Sequence, residues 1–322
     1  MEVRDLDVSI HGEVASFLVV RDMAFEVRSG ETLAIVGESG CGKSMTALSL
    51  MRLQPVAATI ERGSILIEGT DLRRLPQAEL EDWRGNRISM IFQEPLTSLN
   101  PVMTIGDQIA EGVMQHRKVD RRAARRRAIE TLNLVRMPDP ERRADQYPHQ
   151  LSGGMRQRAM IALAVACEPQ VLVADEPTTA LDVTIQAQIL GLIRDLQQRL
   201  GTALVLITHD LGVVAEMADH VIVMYAGRRV EVASVDVLFD RPIHPYTRAL
   251  MRAAPHLTDV SHAKERLAEI AGTVPPPWNM PRGCAFAPRC PTASERCLNE
   301  EPPLTLKEDG HWAACWDHAD ER

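Results

Sequence analysis

The chain has 322 residues, with 36 Lys and Arg against 44 Asp and Glu, for a net charge of −8. That balance argues against a dedicated nucleic-acid binder, while 45% hydrophobic and 25% charged residues describe an ordinary globular protein. No uninterrupted apolar run reaches the ~18 residues a membrane span needs. The start, MEVRDLDVSIHGEV, lacks the basic head and apolar centre of a signal peptide. A cytosolic placement, or attachment to a membrane from its cytosolic side, is expected. In a reducing compartment the six cysteines are poor candidates for structural disulfides.

Residues 3–10 and 17–27 alternate as strands do, with a turn at His11-Gly12-Glu13 between them. A second turn at 28–31 leads to TLAIV (32–36), a short buried strand, and residues 45–53 read as the helix after it. Residues 63–69 predict a hairpin arm with a Gly-Thr-Asp turn, and ISMIF (88–92) another buried strand delivering Gln93 at its end. From about 97 the pattern is helical, with helices over 105–115 and 121–135. Pro138, Pro140 and Pro148 break this region. The face RRAARRRA of the second helix is very basic and reads as a solvated surface. Helices over 155–167 and 185–200 and strands over 171–174, 203–208 and 221–225 complete the alternation. Strands alternating with helices imply a largely parallel sheet flanked by helices.

The stretch Gly37-Glu38-Ser39-Gly40-Cys41-Gly42-Lys43-Ser44 fits Gly, four residues, Gly-Lys-Ser/Thr. A strand, a glycine-rich turn and a helix start aim N–H groups and a positive dipole end at one spot, which suits a polyphosphate. Lys43 is expected on the β/γ-phosphates and Ser44 on Mg²⁺. Cys41 reads as a small residue filling the turn rather than a modifiable thiol. Asp175 and Glu176 close an apolar strand, the way P-loop ATPases present a Mg²⁺-associated carboxylate. Glu176, one residue further, is expected to polarise the attacking water. In open α/β sheets ligands sit beyond the carboxyl ends of the strands, where Gln93, Asp175 and His209 are expected. Ser152, Gly153 and Gly154 offer a second helix start to an anion.

These motifs, in this order, resemble the ATP-binding cassette (ABC) family, whose signature is LSGGQ. Here Met155 stands where Gln is commonest, with Gln157 two residues later. The resemblance implies a head-to-tail dimer in which Ser152, Gly153 and Gly154 of one subunit close over ATP held by the other. It also makes Gln93 the Q-loop glutamine and a contributor to the Mg²⁺ shell, residues 180–182 the D-loop with Asp182, and His209 the switch histidine. Phe17 is the nearest candidate to stack on adenine, and Ile10 occupies the other plausible place. A narrower resemblance, to the oligopeptide/dipeptide branch of ABC importers, rests on FQEPLTSLNP (92–101), DEPTTALDVT (175–184), HPYT (244–247) and GCAFAPRCP (283–291).

It implies an α/β, RecA-like P-loop ATPase core with a β-rich N-terminal part, an inserted helical subdomain (about 97–158) and a small C-terminal extension. The nucleotide-binding domain would occupy 1–255 and the extension 256–322. The implied protein uses ATP and Mg²⁺ as a peripheral subunit on the cytoplasmic face. Its partners would be a second ATPase subunit, two membrane permeases and an extracytoplasmic solute-binding protein, with no nucleic acid. Peptides lead the solutes, with nickel, glutathione and opines as alternatives. The rivals are a soluble cassette ATPase acting on ribosomes or nucleic acid, and an exporter subunit.

Cys284, Cys290, Cys297 and Cys315 are not spaced as the close pairs of a zinc ribbon, and composition alone leaves a metal site and unliganded thiols equally open. Family resemblance implies a structural [4Fe–4S] cluster on this quartet, with zinc the alternative.

Overall fold

In the computed structural model the described residues are 1–12, 15–179, 181–253, 270–308 and 310–316. Ala180 of the D-loop and the expected domain boundary at 255/256 lie outside them. The chain begins with β1 (Glu2–His11), β2 (Ser16–Glu26), β3 (Thr32–Val36), α1 (Lys43–Leu50), β4 (Ala58–Ile67), β5 (Thr70–Asp71) and α2 (Gln77–Trp83). Next come β6 (Ile88–Ile91), α3 (Pro95–Ser98), α4 (Ile105–Arg117), α5 (Arg121–Leu134), α6 (Pro140–Ala144) and α7 (Gly153–Val165). β7 (Val171–Asp175), α8 (Val183–Leu200), β8 (Ala203–Thr208), α9 (Leu211–Met217), β9 (His220–Tyr225) and β10 (Arg228–Ser234) follow. The last are α10 (Val235–Asp240), α11 (Pro245–Ala253), α12 (Glu295–Asn299), β11 (Thr305–Glu308) and β12 (His311–Ala313).

These elements form two compact units. The first takes in Met1, Glu26–Thr32 and Leu66–Leu206. Its β6 and β7 pair in parallel, with β8 beside β7, and every residue of β6 and β7 is buried. Apolar runs with both faces covered are what a parallel sheet under helices requires. Helix α4 begins where Thr104 accepts the Asp107 N–H (3.2 Å), and α5 where Asp120 accepts the Ala123 N–H (2.7 Å). Helix α5 buries Ala124, Ala128, Thr131 and Leu132, one helical face, against α4, α6 and α7. Its arginines face acids and carbonyls: Arg125 meets Asp145, and Arg127 donates to Glu168 (2.6 Å) and Ala166 O (3.1 Å). The basic stretch is therefore a paired surface in large part. Pro140 does not break structure but starts α6, where its missing N–H has no helical partner to lose.

The second unit comprises Glu2–Phe25, Leu33–Ile65 and Ile207–Arg322. There β2, β1 and β4 lie side by side, and a second sheet runs β11-β12-β10-β9-β3. β3 and β9 are parallel, whereas β9, β10, β12 and β11 are successively antiparallel. Strand β10 has no alternating signature in the sequence, because RRVEVAS carries charges at both parities. One of them, Glu231, is fully buried and joins three segments. It accepts the Ile243 (2.6 Å) and His244 (2.9 Å) N–H groups and pairs with His311 of β12 at 2.7 Å. Behind it Tyr225, Tyr246 and Phe286 form an aromatic cluster with centroids 4.6–5.4 Å apart. His244 lies against Phe286, and burial brings its pKa down to about 4, so the ring is neutral with Nδ1 accepting the Tyr246 N–H.

Glu231→Ala would strand His311 and two main-chain N–H groups in the interior. A loss of about 3–5 kcal/mol is expected, read as a lower denaturation midpoint in urea, with Glu231→Gln milder.

Candidate active site

In the second unit the all-buried strand β3 runs into residues 37–42 and then into α1. The loop's conformation demands glycine at two places. Gly37 has φ +155°, and a Cβ there would lie 2.3 Å from the Met224 carbonyl oxygen. Gly42 has φ +103°, and its Cβ would lie 2.6 Å from the Val19 carbonyl oxygen. The Cys41 carbonyl accepts the Gly227 N–H at 2.9 Å, tying the loop to the turn after β9. Cys41 is buried, and burial pushes its thiol pKa up against the pull of Lys43, which suits a turn filler and not a reactive thiolate. Lys43 is 5% exposed, and its Nζ donates to the carbonyls of Gly37 (2.7 Å) and Glu38 (2.9 Å). Those bonds hold the ammonium over the loop it belongs to. Ser44 is half-buried and follows it in the first turn of α1. His209, exposed, comes directly after β8. Phe17 is half-buried on β2, its ring edge-on to Trp278 at 6.1 Å. Trp278 is 70% exposed, and the motif reading missed it because it lies far along the chain.

In the first unit Asp175 ends β7 and is 4% exposed. Glu176, next along, has φ +45°, a left-handed conformation costing a residue with a Cβ about 1 kcal/mol or more. The turn is paid back in aim, because Glu176 Oε2 receives Thr179 Oγ1 (2.8 Å) and Gln93 Nε2 (3.2 Å). Two residues expected separately, Gln93 and Glu176, are thus hydrogen-bonded. Thr179 joins them unforeseen, although the DEPTT run carries it. Ser152 caps α7 without a side-chain bond, and Ser152 and Gly153 are exposed, with open space where a Gly153 Cβ would stand. Gly154 approaches Ile185 of α8, 3.2 Å from its would-be Cβ. Gln157 cannot stand in for the signature glutamine: it is 2% exposed and donates to the Pro177 carbonyl. On a helix, two residues past position 155 is another face. Asp182 caps α8 by accepting the Ile185 N–H at 2.9 Å.

The four late cysteines come together. Cys284, Cys290, Cys297 and Cys315 line one cavity with Phe286 and Trp316. Burial first, then the neighbouring thiols of Cys297 and Cys290, raise the Cys284 pKa. Among the described residues, no group of three or more His, Cys, Asp or Glu side chains is arranged to hold a metal ion.

Residues 20–179 match the ABC transporter family, and residues 230–297 match the oligopeptide/dipeptide transporter C-terminal region. A probable peptide ABC transporter ATP-binding protein of Sinorhizobium fredii is 56% identical over 319 residues, 98% of this chain and 94% of the relative. The dipeptide transport ATP-binding protein of Escherichia coli is 48% identical over 315 residues, 98% of this chain and 95% of the relative. Among solved structures, the ATP-binding cassette MJ0796, as a post-hydrolysis dimer bound to ADP and Pi, superposes with a TM-score of 0.65 at 26% identity. That match covers 73% of this chain and 98% of the cassette.

Gly42→Ala should weaken nucleotide binding more than ~100-fold, about 3 kcal/mol, because the Val19 carbonyl leaves no room for the methyl group. Titration with a fluorescent nucleotide, beside a circular-dichroism spectrum to confirm folding, measures it.

Proposed function

This chain belongs to the ABC transporter family as an ATP-binding, ATP-hydrolysing subunit with a RecA-like P-loop fold, and from that premise we propose that it powers import of dipeptides or oligopeptides. The observation that carries the solute class is the C-terminal match over 230–297, which joins the cassette to a region described for oligopeptide/dipeptide transporters. The peptide transport relatives, aligned over 98% of the chain, support the same class. Nickel, glutathione, opines and a ribosomal or nucleic-acid partner have no such support. Residues 1–255 serve as the nucleotide-binding domain and 256–322 as the extension. No helix among the described residues is long and apolar enough to cross a membrane, so two permease subunits supply the path and an extracytoplasmic binding protein delivers the peptide. The chain docks on the permeases from the cytoplasmic face.

Each residue role follows from chemistry at its position. Gly37, Ser39, Gly40, Cys41 and Gly42 offer main-chain N–H groups to the phosphates, and Lys43 neutralises the β- and γ-oxygens. Bound Mg²⁺ would neutralise phosphate charge, and Ser44, Asp175 and Gln93 are the oxygen donors suited to hold it directly or through water. Glu176 takes the proton of the attacking water, its carboxylate oriented by Thr179 and Gln93. His209 reads the γ-phosphate, and Phe17 packs on the adenine. Ser152 and Gly153, exposed at the start of α7, and the half-buried Gly154 serve ATP on a second cassette subunit, together with the D-loop residue Asp182. The dimeric state of the MJ0796 cassette supports this pairing.

For the cysteine quartet the reading we propose is a [4Fe–4S] cluster. Four thiols line one cavity, and four thiolates are the donor set such a cluster takes, with zinc the alternative. Its role is structural, fastening residues 284–315 together.

Glu176→Gln should keep ATP affinity within about twofold and lose ~100-fold or more of steady-state hydrolysis, measured by phosphate release. In proteoliposomes with permeases and binding protein, ATPase stimulation by dipeptides but not by nickel or glutathione checks the solute; stimulation by nickel alone would overturn it. Anaerobically purified protein should carry iron and acid-labile sulfide, both lost in Cys297→Ser; stoichiometric zinc without sulfide would refute the cluster.

A further inference from the structure

The phosphate loop carries one acidic residue, Glu38, and residues far along the chain hold it from two directions. Its main-chain N–H donates to the Tyr246 hydroxyl at 2.8 Å. Its carboxylate oxygen Oε1 lies 3.1 Å from Arg289 Nη1, an ion pair lacking the alignment of a hydrogen bond. The Arg289 side chain is 5% exposed and is itself fixed on every side. Its Nη1 also donates to the Tyr225 hydroxyl at 3.2 Å, while Nη2 and Nε donate to the carbonyls of Ile270 (3.1 Å) and Ala271 (2.9 Å). The guanidinium lies 5.7 Å from the ring centroids of both Tyr225 and Phe286, within cation–π range. Burial works against the arginine's charge, but Tyr225 and Glu38 outweigh it and the pKa is raised.

Glu38 also bears directly on the reacting end of the loop, since its own carbonyl accepts Lys43 Nζ at 2.9 Å. A loop with glycines at φ +155°, +80° and +103° has little conformational restraint of its own. Whatever clamps Glu38 therefore restricts the loop main chain and the lysine it holds. Fixing a site in its binding geometry before the ligand arrives raises affinity by removing an ordering cost.

We propose that Arg289 and Tyr246 are positioning residues for the phosphate loop, so that the segment bearing Cys284 and Cys290 sets the chain's affinity for ATP through Glu38. The proposal rests on the reading of residues 37–44 as the phosphate loop, and Lys43→Ala tests that reading separately.

The experiment uses the full chain, with ATP affinity measured by competition against a fluorescent analogue, steady-state kinetics, and a nucleotide-free thermal midpoint for each variant. Arg289→Gln should weaken ATP binding ~10-fold, appearing in KM with a much smaller change in kcat, and Arg289→Lys should recover part of the loss. Glu38→Gln should weaken binding similarly, and the double variant should be no worse than either single one, because both remove the same interaction. Tyr246→Phe, which deletes the hydroxyl accepting the Glu38 N–H, should weaken binding several-fold. If Arg289→Gln misfolds, Glu38→Gln and Tyr246→Phe carry the test, since both leave the Arg289 bonds to Ile270 and Ala271 in place. Unchanged ATP affinity with a lowered thermal midpoint would make Arg289 purely structural and overturn the proposal. Fully multiplicative losses in the double variant would overturn the route through Glu38. Undiminished ATP binding by Lys43→Ala would instead refute the phosphate-loop reading.

Discussion

Two main-chain carbonyls, from Val19 on β2 and Met224 on β9, press so closely on the phosphate loop that only glycine fits at positions 42 and 37. Close approach of backbone to backbone fixes the path of the loop at both glycines, while the Glu38 and Cys41 N–H groups are taken up by the Tyr246 hydroxyl and the Glu38 carbonyl. It also makes the loop dependent on its surroundings. Glycines supply permissiveness, and neighbouring strands and side chains must supply the order. The bonds from Gly227 to Cys41, from Lys43 to the loop carbonyls, and from Glu38 to Tyr246 all meet that need.

The C-terminal part of the chain is built into the second unit rather than hung from it. Strand β12 continues the sheet next to β10, and buried Glu231 locks that pairing to the loop leading into α11. A buried carboxylate is tolerable only when its oxygens are taken up, and here two N–H groups and an imidazole do so. Phe286, between two of the cysteines, completes the aromatic cluster with Tyr225 and Tyr246. Packing of that cluster and the Arg289 contacts share residues. The cysteine-bearing segment and the phosphate loop are thus mechanically continuous within one unit.

A different economy operates around Glu176. Its left-handed backbone is unfavourable for a residue with a Cβ, yet it turns the carboxylate toward Thr179 and Gln93. Neutral donors hold the orientation without supplying a competing charge. Strain concentrated at the residue proposed as general base, and absorbed by neighbouring bonds, is a pattern expected of a catalytic group.

Contiguous features were legible in the sequence. TLAIV and ALVLIT form strands over the very residues their apolar runs delimit, since a strand buried on both faces needs no partner to be recognised. The strand and helix that flank the glycine-rich loop, the strand ending at Asp175 and the α7 start were readable for the same reason, each lying in one contiguous stretch. Strands β10, β11 and β12 and helices α9 to α12 escaped, because they are short or of mixed polarity and only their partners decide which face is buried. The burial of Gln157, the grip of Glu231 on His311 across 80 positions and that of Tyr246 on Glu38 across 208 were settled by the tertiary structure alone. A motif is a property of adjacent residues. A hydrogen bond between distant ones exists only after the chain has folded and its register is set.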